Sequence, residues 1–481
     1  MEMHPLAGLQ PDSVFHFFAE ICRIPHGSRN TKAISDHLVN FARERNLSYR
    51  QDEQNNVIIW KPGTPGYEDH PPVILQGHMD MVCEKDPGCP IDFDRDGLDL
   101  THDGTDVFAR GTTLGGDDGI AVAYCMALLD AKDIPHPPLE IVLTVDEEIG
   151  MLGAAAIDLS DLQGRTLVNL DSEDEGVLTV SCAGGATATI DLPLNRRPVY
   201  GPCVQLEVSG LQGGHSGVEI HQNRGNANKI MGRLLSRIQE KMPVCLASFS
   251  GGAKDNAIPR NCRVNLVAMG LQLDTIGEIA QAVEAEAKAA HNDPGLTITV
   301  STVEALGGMA VGTDGTKAVA QLLEALPNGV QAMSRDIAGL VQTSLNLGIA
   351  KLDDTGLHLT FSVRSSVNQE KEDLLSQLRT LAAKFGGHYS QMGEYPAWEY
   401  RQDSRLREIM VQTYRDMFGA EPQVVAIHAG LECGLLGDKL PGLDCVSFGP
   451  QMQDIHTSRE KLNIASVARM WDYLLEILKR L

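Results

Sequence analysis

The chain has 481 residues, 43% of them hydrophobic, which is enough apolar material for two or more domains. Its 64 acidic residues outnumber its 40 lysines and arginines and give a formal net charge of −24. This surplus of negative charge disfavours nucleic acid and anionic membrane surfaces, so we expect neither as a partner. The sequence has no signal peptide and no run of roughly 18 apolar residues, which predicts a cytoplasmic protein.

The first part of the chain alternates predicted helices and strands. Apolar residues at helical spacing predict a helix over Val14–Cys22, which Pro25 would stop. Asp12 and Ser13 are the candidates for its N-terminal cap. A second helix is predicted over Ile120–Leu129. Short apolar runs predict strands buried on both faces at Val57–Trp60, Val73–Leu75, Leu139–Val145 and Leu167–Leu170.

The last part of the chain returns to the same pattern. Val424–Ile427 and Cys445–Phe448 are predicted as further buried strands. A final helix places its apolar stripe between Ile464 and Leu478. Together with the first part, this alternation is typical of an α/β domain with a mostly parallel central sheet.

The middle of the chain has a different pattern. Strands such as Val204–Val208 and Leu357–Val363 alternate between apolar and polar residues, which indicates a sheet with one wet face. Helices over Ala227–Ile238 and Leu374–Leu381 separate such strands. We therefore predict an α+β domain inserted into the α/β domain. The boundaries are 186–394 for the insertion, and 1–185 with 395–481 for the discontinuous domain.

Polar and charged residues follow the predicted strands of the α/β domain at the edge where such sheets bind ligands. His78 and Asp80 follow the strand Val73–Leu75 in LQGHMDMV, and Asp117 lies in the glycine-rich GTTLGGDDGIAVAY. Each of these has an ordinary structural explanation: a lone HxD is more often structural, Asp118 would cap the helix that follows, and Asp117 would be solvated. The ten cysteines lack a CxxC pair, which predicts reduced and mostly buried thiols and no thiolate metal site.

Three further acids and a second histidine extend this series. Glu147 and Glu148 come directly off the strand Leu139–Val145, and Asp171 ends the strand in LVNLD. Adjacent acids at a strand end are usually a solvated turn, yet these follow a strand that should be buried. His456 lies in QMQDIHTSRE near the end of the chain.

Two imidazoles with several carboxylates at one sheet edge indicate a metal site without thiolates, and two ions fit better than one. The predicted ligands are His78, Asp117, Glu148, Asp171 and His456, with Asp117 as the bridge. Two Zn²⁺ with three carboxylates keep one positive charge, which a bridging hydroxide would neutralise. In this interpretation Glu147 is the general base and Asp80 orients the ring of His78.

These motifs, taken in order, resemble the M20 metallopeptidases over nearly the whole chain. The resemblance implies the same five metal ligands, with Asp80 and Glu147 as catalytic acids. It implies two Zn²⁺ per subunit, with Mn²⁺ or Co²⁺ as possible substitutes. It also implies a catalytic domain interrupted by a lid and dimerisation domain, and hence a homodimer.

Four other segments are similar to the aminoacyl-histidine dipeptidases, a carnosinase-like branch that cleaves Xaa-His dipeptides including β-alanyl-histidine. They are GLQGGHSGVEIHQNRGNANK, DNAIPR, FSVRSS and HAGLECG. The resemblance implies that His215 stabilises the oxyanion, in its own or the partner subunit's site. It also implies that Asn256, Arg364 and Gly430 hold a small peptide substrate.

Read without the family, these four residues have structural explanations. His215 could satisfy backbone groups of its turn, and Arg364 could form a surface ion pair. Asn256 could cap a turn, and Gly430 could relieve a tight bend. Two other functions stay open at this point: another amidohydrolase of the same fold, such as a deacylase, carboxypeptidase or tripeptidase, and a non-catalytic protein with a peptidase-like scaffold.

Overall fold

The computed structural model describes residues 5–267, 270, 272–304 and 307–481. These residues form two compact units. The first unit contains the described residues up to Ser181 together with Tyr400–Ala426 and Leu431–Leu481. The second contains Cys182–Glu399 and Ile427–Gly430.

The described residues form eleven α-helices, and a 3-10 turn lies at Ile220–Gln222. In chain order the helices are α1 (Asp12–Ile21), α2 (Lys32–Glu44), α3 (Gly116–Asp130), α4 (Leu152–Ala156), α5 (Ala227–Lys241), α6 (Leu273–Ala290), α7 (Thr313–Ala325), α8 (Asn368–Lys384), α9 (Arg405–Phe418), α10 (Glu432–Lys439) and α11 (Ile464–Arg480). None of these described helices has the length and apolar character needed to cross a bilayer.

The strands are distributed over both units. In chain order they are β1 (Ser48–Gln51), β2 (Val57–Lys61), β3 (Val73–His78), β4 (Leu100–His102), β5 (Asp106–Ala109), β6 (Leu139–Thr144), β7 (Thr166–Asn169), β8 (Val177–Cys182), β9 (Gly184–Pro193), β10 (Arg196–Val199), β11 (Cys203–Ser209), β12 (Gly214–His215), β13 (Cys245–Gly251), β14 (Ala257–Ile258), β15 (Cys262–Val267), β16 (Thr297–Val303), β17 (Gly308–Val311), β18 (Gly329–Met333), β19 (Val341–Leu352), β20 (Gly356–Ser365), β21 (His388–Tyr395), β22 (Gln423–Ile427), β23 (Asp444–Ser447), β24 (Met452–Gln453) and β25 (Lys461–Asn463).

The first unit is built on an eight-stranded sheet with the order β1-β2-β6-β3-β7-β23-β8-β22. Its four central strands, β6, β3, β7 and β23, run parallel, while β2 and β8 flank them in antiparallel orientation. Strands β3 and β6 are buried along their whole length. The prediction of an α/β fold with a mostly parallel central sheet is confirmed, and the antiparallel pairs lie outside its centre.

Helices of the first unit pack through aromatic contacts as well as aliphatic ones. Tyr124 on α3 stacks on Trp471 of α11, with ring centroids 5.6 Å apart. The Tyr124 hydroxyl donates to the carbonyl oxygen of Val467 at 2.8 Å. The predicted helix Ile120–Leu129 and the predicted final helix are both present, as α3 and α11. The contacts of Tyr124 hold these two helices against each other.

Two details of the sequence prediction are wrong. Helix α1 already begins at Asp12, with Pro11 at its cap position and no side-chain cap, because Asp12 lies inside the first turn. Strand β22 is exposed or half-buried rather than buried, because it is the edge strand of the sheet. Apolar residues tolerate an edge position, so their run alone does not distinguish edge from centre.

The second unit contains a large antiparallel sheet with the main order β16-β11-β15-β13-β19-β20-β9-β21. Its inner residues and helices α5, α6, α7 and α8 form one apolar core. Strands β9 and β11 alternate between buried and half-buried residues, as the alternating sequence pattern predicts. A separate two-stranded pair, β12 with β14, carries His215 opposite Ala257.

The cysteines are free, and eight of them are buried. Only Cys83 is exposed, and Cys89 is half-buried. The predictions of reduced thiols and of no disulfide framework agree with this arrangement.

Candidate metal centre and active site

The carboxyl ends of the central strands of the first unit carry the predicted metal ligands. His78 is the last residue of β3 and is 1% exposed. Glu147 and Glu148 follow β6, and Asp171 follows β7. Because β6, β3 and β7 are parallel neighbours, these side chains meet at one edge of the sheet.

Asp117 lies between the two histidines. Its Oδ1 is 3.1 Å from Nε2 of His78, and its Oδ2 is 3.0 Å from Nε2 of His456. The carboxylate is 7% exposed. Each oxygen of one buried carboxylate thus faces a different imidazole, which is the arrangement that a bridging ligand requires.

His456 reaches Asp117 from a different part of the chain. It lies on the turn between β24 and β25, in a four-stranded sheet with the order β24-β25-β5-β4. Its backbone is left-handed, with φ of 60°, and its Nε2 is also 3.0 Å from Oε1 of Glu148. The hairpin therefore completes a second cluster of Asp117, Glu148 and His456, whose ligand atoms lie within 4.8 Å of one another.

The other cluster, which we count as the first, lies around His78. Its Nε2 is 3.6 Å from Oδ1 of Asp171, and Asp118 completes a group whose ligand atoms lie within 4.8 Å. Glu147 and Glu148 form another such group with His78. The five predicted ligands are therefore brought together in one unit of the protein.

The donor set fits divalent cations. Imidazole nitrogens and carboxylate oxygens are borderline and hard ligands, and no cysteine takes part. Within the described part of the chain, the only ion-pair partners of Asp117, Glu148 and Asp171 are histidines. Buried carboxylates in excess of the cationic side chains around them need positive charge from outside the protein. The residues placed to hold that charge are His78, Asp117, Glu148, Asp171 and His456.

Without bound cations the imidazoles take up the missing charge as protons. Hydrogen bonds to Asp117 and Glu148 raise the pKa of His456 to about 10. Burial lowers the pKa of His78, but the nearby carboxylates of Asp171, Asp117 and Asp80 outweigh it and raise that pKa well above its usual value. Both rings are thus held in the form that cannot bind a metal.

Metal binding to the metal-free protein at pH 7 is therefore expected to release at least one proton, because a histidine ligand must be neutral. Affinity should rise with pH up to about 10, the pKa of His456, because deprotonation of this ring then no longer has to accompany binding. Calorimetric titration with Zn²⁺ in two buffers of different ionisation enthalpy measures the released protons. Identical heats in both buffers would contradict the prediction.

Glu147 lies beside this centre and forms no ion pair with a histidine in the described residues. Its backbone N–H donates to Oδ1 of Asp80 at 3.1 Å. Burial raises the pKa of its carboxyl to about 9, with Asp171, Glu432 and Glu148 adding to the effect and His78 opposing it. A carboxylate in such surroundings accepts a proton more readily than an exposed one.

Asp80 stands behind His78. Nδ1 of His78 is 2.9 Å from the backbone carbonyl oxygen of Asp80 and 3.5 Å from its carboxylate Oδ1. Ser28 donates to the other carboxylate oxygen at 2.8 Å. The backbone carbonyl is therefore the nearer partner of the ring, and the carboxylate also fixes the backbone of Glu147.

Asp118 has a different position from the exposed cap that its sequence context suggests. It is fully buried, and its Oδ2 accepts the backbone N–H of His78 at 3.1 Å. Helix α3 has Gly115 as its cap residue and no side-chain cap. A Cβ at Gly77 would lie 2.4 Å from Oδ2 of Asp118, so glycine is needed for this close approach.

Two other buried acids near the centre were not singled out from the sequence. Oε2 of Glu432 accepts hydrogen bonds from Gln76 at 2.5 Å and from Thr144 at 2.6 Å. Glu460 accepts backbone N–H groups of the segment that leads to Asp117. The only available sequence signals were an acid inside HAGLECG and an acid four residues after His456.

The predicted substrate-binding residues all lie in the second unit. His215 is fixed by its turn: its Nδ1 accepts the N–H groups of Gly217 and Val218, both at 3.2 Å. Burial, together with Arg364, lowers the pKa of its ring, and Glu219 opposes this. The ring is therefore neutral at pH 7 with its proton on Nε2.

Arg364 lies on β20 and donates from Nη1 to the hydroxyl of Tyr395 at 3.1 Å. Its Nε is buried and has no hydrogen-bond partner among the residues that the structure describes. A Cβ at Gly217 would lie 3.0 Å from Cε1 of His215, 3.2 Å from Nε of Arg364 and 2.6 Å from the carbonyl oxygen of His428. His215 and Arg364 therefore converge on the same small space. The two hydrogen bonds to Nδ1 agree with the explanation that His215 satisfies backbone groups of its turn. Among the described residues Arg364 forms no surface ion pair and instead donates to Tyr395.

Asn256 and Gly430 lie in the second unit, outside its helices and strands. The carbonyl oxygen of Asn256 accepts the N–H of Ser216 at 2.9 Å, next to His215. Asn256 and His215 also line an open cavity of about 820 Å³. Gly430 ends the short segment Ile427–Gly430, which belongs to the second unit.

The fold and this centre place the chain among the metallopeptidases. Residues 74–480 match the model of "Peptidase family M20/M25/M40", and the chain belongs to this family. It is therefore an enzyme, a peptide hydrolase, as predicted.

Individual relatives are similar over the full chain. The Cytosol non-specific dipeptidase of Escherichia coli (strain K12) is 36% identical over 483 aligned positions, covering 100% of this chain and 99% of the relative. The crystal structure of Aminoacylhistidine Dipeptidase from Vibrio alginolyticus superposes with a TM-score of 0.94 at 35% identity, covering 99% of this chain and 98% of that one. The aminopeptidase PepT from Bacillus cereus ATCC 10987 has a TM-score of 0.56 at 16% identity, covering 98% of each chain, and shares the fold.

Proposed function

We propose that the protein is a dipeptidase with two zinc ions per subunit, which hydrolyses Xaa-His dipeptides including β-alanyl-histidine. The observation that carries the proposal is the position of Asp117, whose two oxygens face His78 and His456 at 3.1 and 3.0 Å. A carboxylate so placed can belong to two cations at once. The names of the two similar proteins support a dipeptide substrate, and that of the Vibrio alginolyticus protein alone of the two supports a preference for histidine.

Asp117 would bridge the ions, with His78 and Asp171 on one side and Glu148 and His456 on the other. Bound there, the cations would polarise the scissile carbonyl and make water acidic enough to attack at neutral pH. Zinc suits a site of imidazoles and carboxylates, and Mn²⁺ or Co²⁺ could replace it.

Glu147 acts as the general base in this proposal. Its carboxylate takes the proton of the attacking water and passes it to the leaving amine. Burial raises the pKa of this carboxyl to about 9 in the protein without cations. The positive charge of bound cations would lower this pKa, so that Glu147 would be ionised at neutral pH and able to accept the proton. Asp80 supports this role of Glu147 in two ways. Its carboxylate accepts the backbone N–H of Glu147, and its backbone carbonyl oxygen orients the ring of His78.

His215 supplies a hydrogen bond to the oxygen that becomes negative in the transition state. With Nδ1 occupied by two backbone N–H groups, its Nε2–H is the free donor. A neutral imidazole with a fixed tautomer is already oriented for this task and costs little reorganisation.

Arg364 binds the C-terminal carboxylate of the peptide, with Asn256 and Gly430 holding the peptide backbone. A buried guanidinium nitrogen without a partner is costly, and a carboxylate is the ligand that matches its geometry. The free C-terminus of a dipeptide is such a carboxylate.

Replacing His215 by alanine is expected to leave two metal ions per chain and to lower kcat by about 10²–10³-fold, which is typical for one oxyanion donor. The metal content stays because His215 is not among the residues around Asp117. Metal analysis and steady-state kinetics on the same preparation measure both. Wild-type turnover would remove His215 from the mechanism.

The substrate class is tested with the purified zinc-loaded enzyme on matched panels. We expect cleavage of Xaa-His dipeptides and little cleavage of tripeptides or N-acyl amino acids. Activity confined to N-acyl amino acids would show a deacylase, and preference for longer peptides a carboxypeptidase or tripeptidase. Equal rates on Xaa-His and other dipeptides would support dipeptidase activity and overturn the proposed preference for histidine.

We further propose that the second unit is the lid and dimerisation domain of a homodimer that works in the cytoplasm. The cytosolic location is taken from the name of the Escherichia coli relative. Mixed dimers of His215→Ala and Glu147→Gln chains test the arrangement. If His215 serves the partner subunit's site, one site per mixed dimer regains both groups, and activity returns. If it serves its own site, the mixture stays as inactive as the separate variants.

A further inference from the structure

The carboxylate of Glu460 accepts four successive backbone N–H groups. Oε2 accepts those of Leu114 at 2.8 Å and Gly115 at 3.2 Å, and Oε1 accepts those of Gly116 at 2.8 Å and Asp117 at 3.4 Å. Glu460 is 3% exposed. One buried carboxylate thus accepts hydrogen bonds from every residue of the turn that ends at Asp117.

The sequence of that turn is adapted to the contact. Gly115 has φ of +66°, which favours glycine. A Cβ at Gly116 would lie 3.1 Å from Oε1 of Glu460 and 3.1 Å from Sδ of Met452. The two glycines therefore let the backbone wrap closely around the carboxylate.

Glu460 also belongs to the hairpin that carries His456. It directly precedes β25, and its own N–H donates to the carbonyl oxygen of Thr457 at 3.1 Å. Strand β25 is held in turn by β5, with Leu462 opposite Val107. His456 itself is 45% exposed at its side chain and is anchored by few contacts of its own.

We infer that Glu460 is a positioning residue that fixes Asp117 and His456 relative to each other, and so sets the affinity of the metal centre. The inference rests on the metal centre proposed above. Glu460 joins the two segments that supply these ligands, and it does so without touching a metal. Charge-assisted hydrogen bonds to backbone amides are about twice as strong as neutral ones, which suits a rigid link.

The carboxylate also satisfies N–H groups that lead into helix α3. Gly115 is the cap residue of this helix, and Asp117 and Asp118 have non-helical backbone angles, so residues 114–117 form an irregular turn before the regular helix. Glu460 supplies the hydrogen-bond acceptors of this turn. Loss of the charge would free the turn that presents Asp117.

Glu460→Gln is the variant that tests the inference. It keeps the size of the side chain, but its NH₂ group cannot accept a hydrogen bond, so two of the four N–H groups lose their partner. We expect the affinity of at least one zinc ion to fall by about 10–100-fold, as for other residues that orient metal ligands. Competition with a chelating dye measures the affinity, and the visible spectrum of the Co²⁺-loaded protein reports the ligand geometry.

Glu140→Gln is the matched control. Glu140 is also 3% exposed and also accepts backbone N–H groups, from Gln163 and Gly164 at 2.9 Å each. It lies near the start of β6, at the opposite end of this strand from Glu147. We expect both variants to lower the Tm of the metal-free protein, and only Glu460→Gln to change zinc affinity and the Co²⁺ spectrum.

The outcomes are distinct. Wild-type zinc affinity in Glu460→Gln, or an equal loss in Glu140→Gln, would overturn the inference. A wild-type protein that binds no zinc would instead overturn the proposed metal centre.

Hydrogen exchange of the wild-type metal-free protein tests the link even if Glu460→Gln does not fold. The amides of residues 114–117 should exchange at least about 100-fold more slowly than in an unstructured chain. Exchange at the unstructured rate would overturn the inference as well.

Discussion

Replacing Glu147 by glutamine is expected to lower kcat by about 10³-fold while the protein keeps two zinc ions per chain. Glutamine has nearly the same shape but cannot take a proton from water, and general acid–base groups contribute about 10²–10⁴-fold. The loss corresponds to about 4 kcal/mol in the activation free energy. KM should change little, because the substrate-binding groups are untouched.

Metal analysis of the variant separates the base from the ligands. Loss of zinc in Glu147→Gln would mean that Glu147, and not Glu148, is the ligand. The matched control is Glu53→Gln, which removes an exposed carboxylate of the same unit and should match the wild type in both metal content and rate.

Asp117→Ala is expected to lose both metal and activity. This carboxylate faces both imidazoles, so its removal would take one ligand from each of the two proposed cations. We expect fewer than one zinc ion per chain after dialysis and a rate near background, since the remaining base has no activated water to act on.

The folded state should survive this substitution better than the metal centre does. Asp117 is a buried anion beside two histidines that nearby carboxylates keep protonated in the metal-free protein. The variant removes one partner from each ring and leaves His78 with Asp171 and His456 with Glu148, so a lower Tm is expected. The exposed Asp133→Ala is the control. Full metal content in Asp117→Ala would show that the bridge is supplied by another residue, with Asp118 the nearest acid in sequence.

The two variants together distinguish a hydrolytic site from a structural metal site. A structural site would lose stability with Asp117→Ala and show no kinetic effect with Glu147→Gln. In the proposed enzyme the two effects separate, because Glu147 acts on the water and Asp117 acts on the cations.

The sequence by itself determined the class of fold. Mostly apolar runs such as Val73–Leu75 and Leu139–Val145, short and bounded by turn residues, indicate strands covered on both sides, and they form the parallel centre of the sheet. Because each of these strands is followed by a histidine or an acid, the edge that carries the site was also readable.

The sequence was less informative where burial depends on distant partners. The run Val424–Ile427 resembles a core strand, but it forms the edge of the sheet because nothing pairs beyond it. The acid at Asp118 resembles a helix cap, but it is buried under the backbone of His78, because Gly77 lets the two segments approach. Neither outcome is encoded locally.

The order of the motifs, and the residue types at His78, Asp117, Glu148, Asp171 and His456, were determined by the sequence. Only the tertiary structure decided that each oxygen of Asp117 faces a different imidazole, and that Glu460 holds the turn that presents it. The physical reason is that hydrogen bonds between residues 39 to 344 positions apart leave no local pattern. Apolar periodicity reports which face of an element is buried, whereas the partner of a buried carboxylate is fixed only when distant segments pack together.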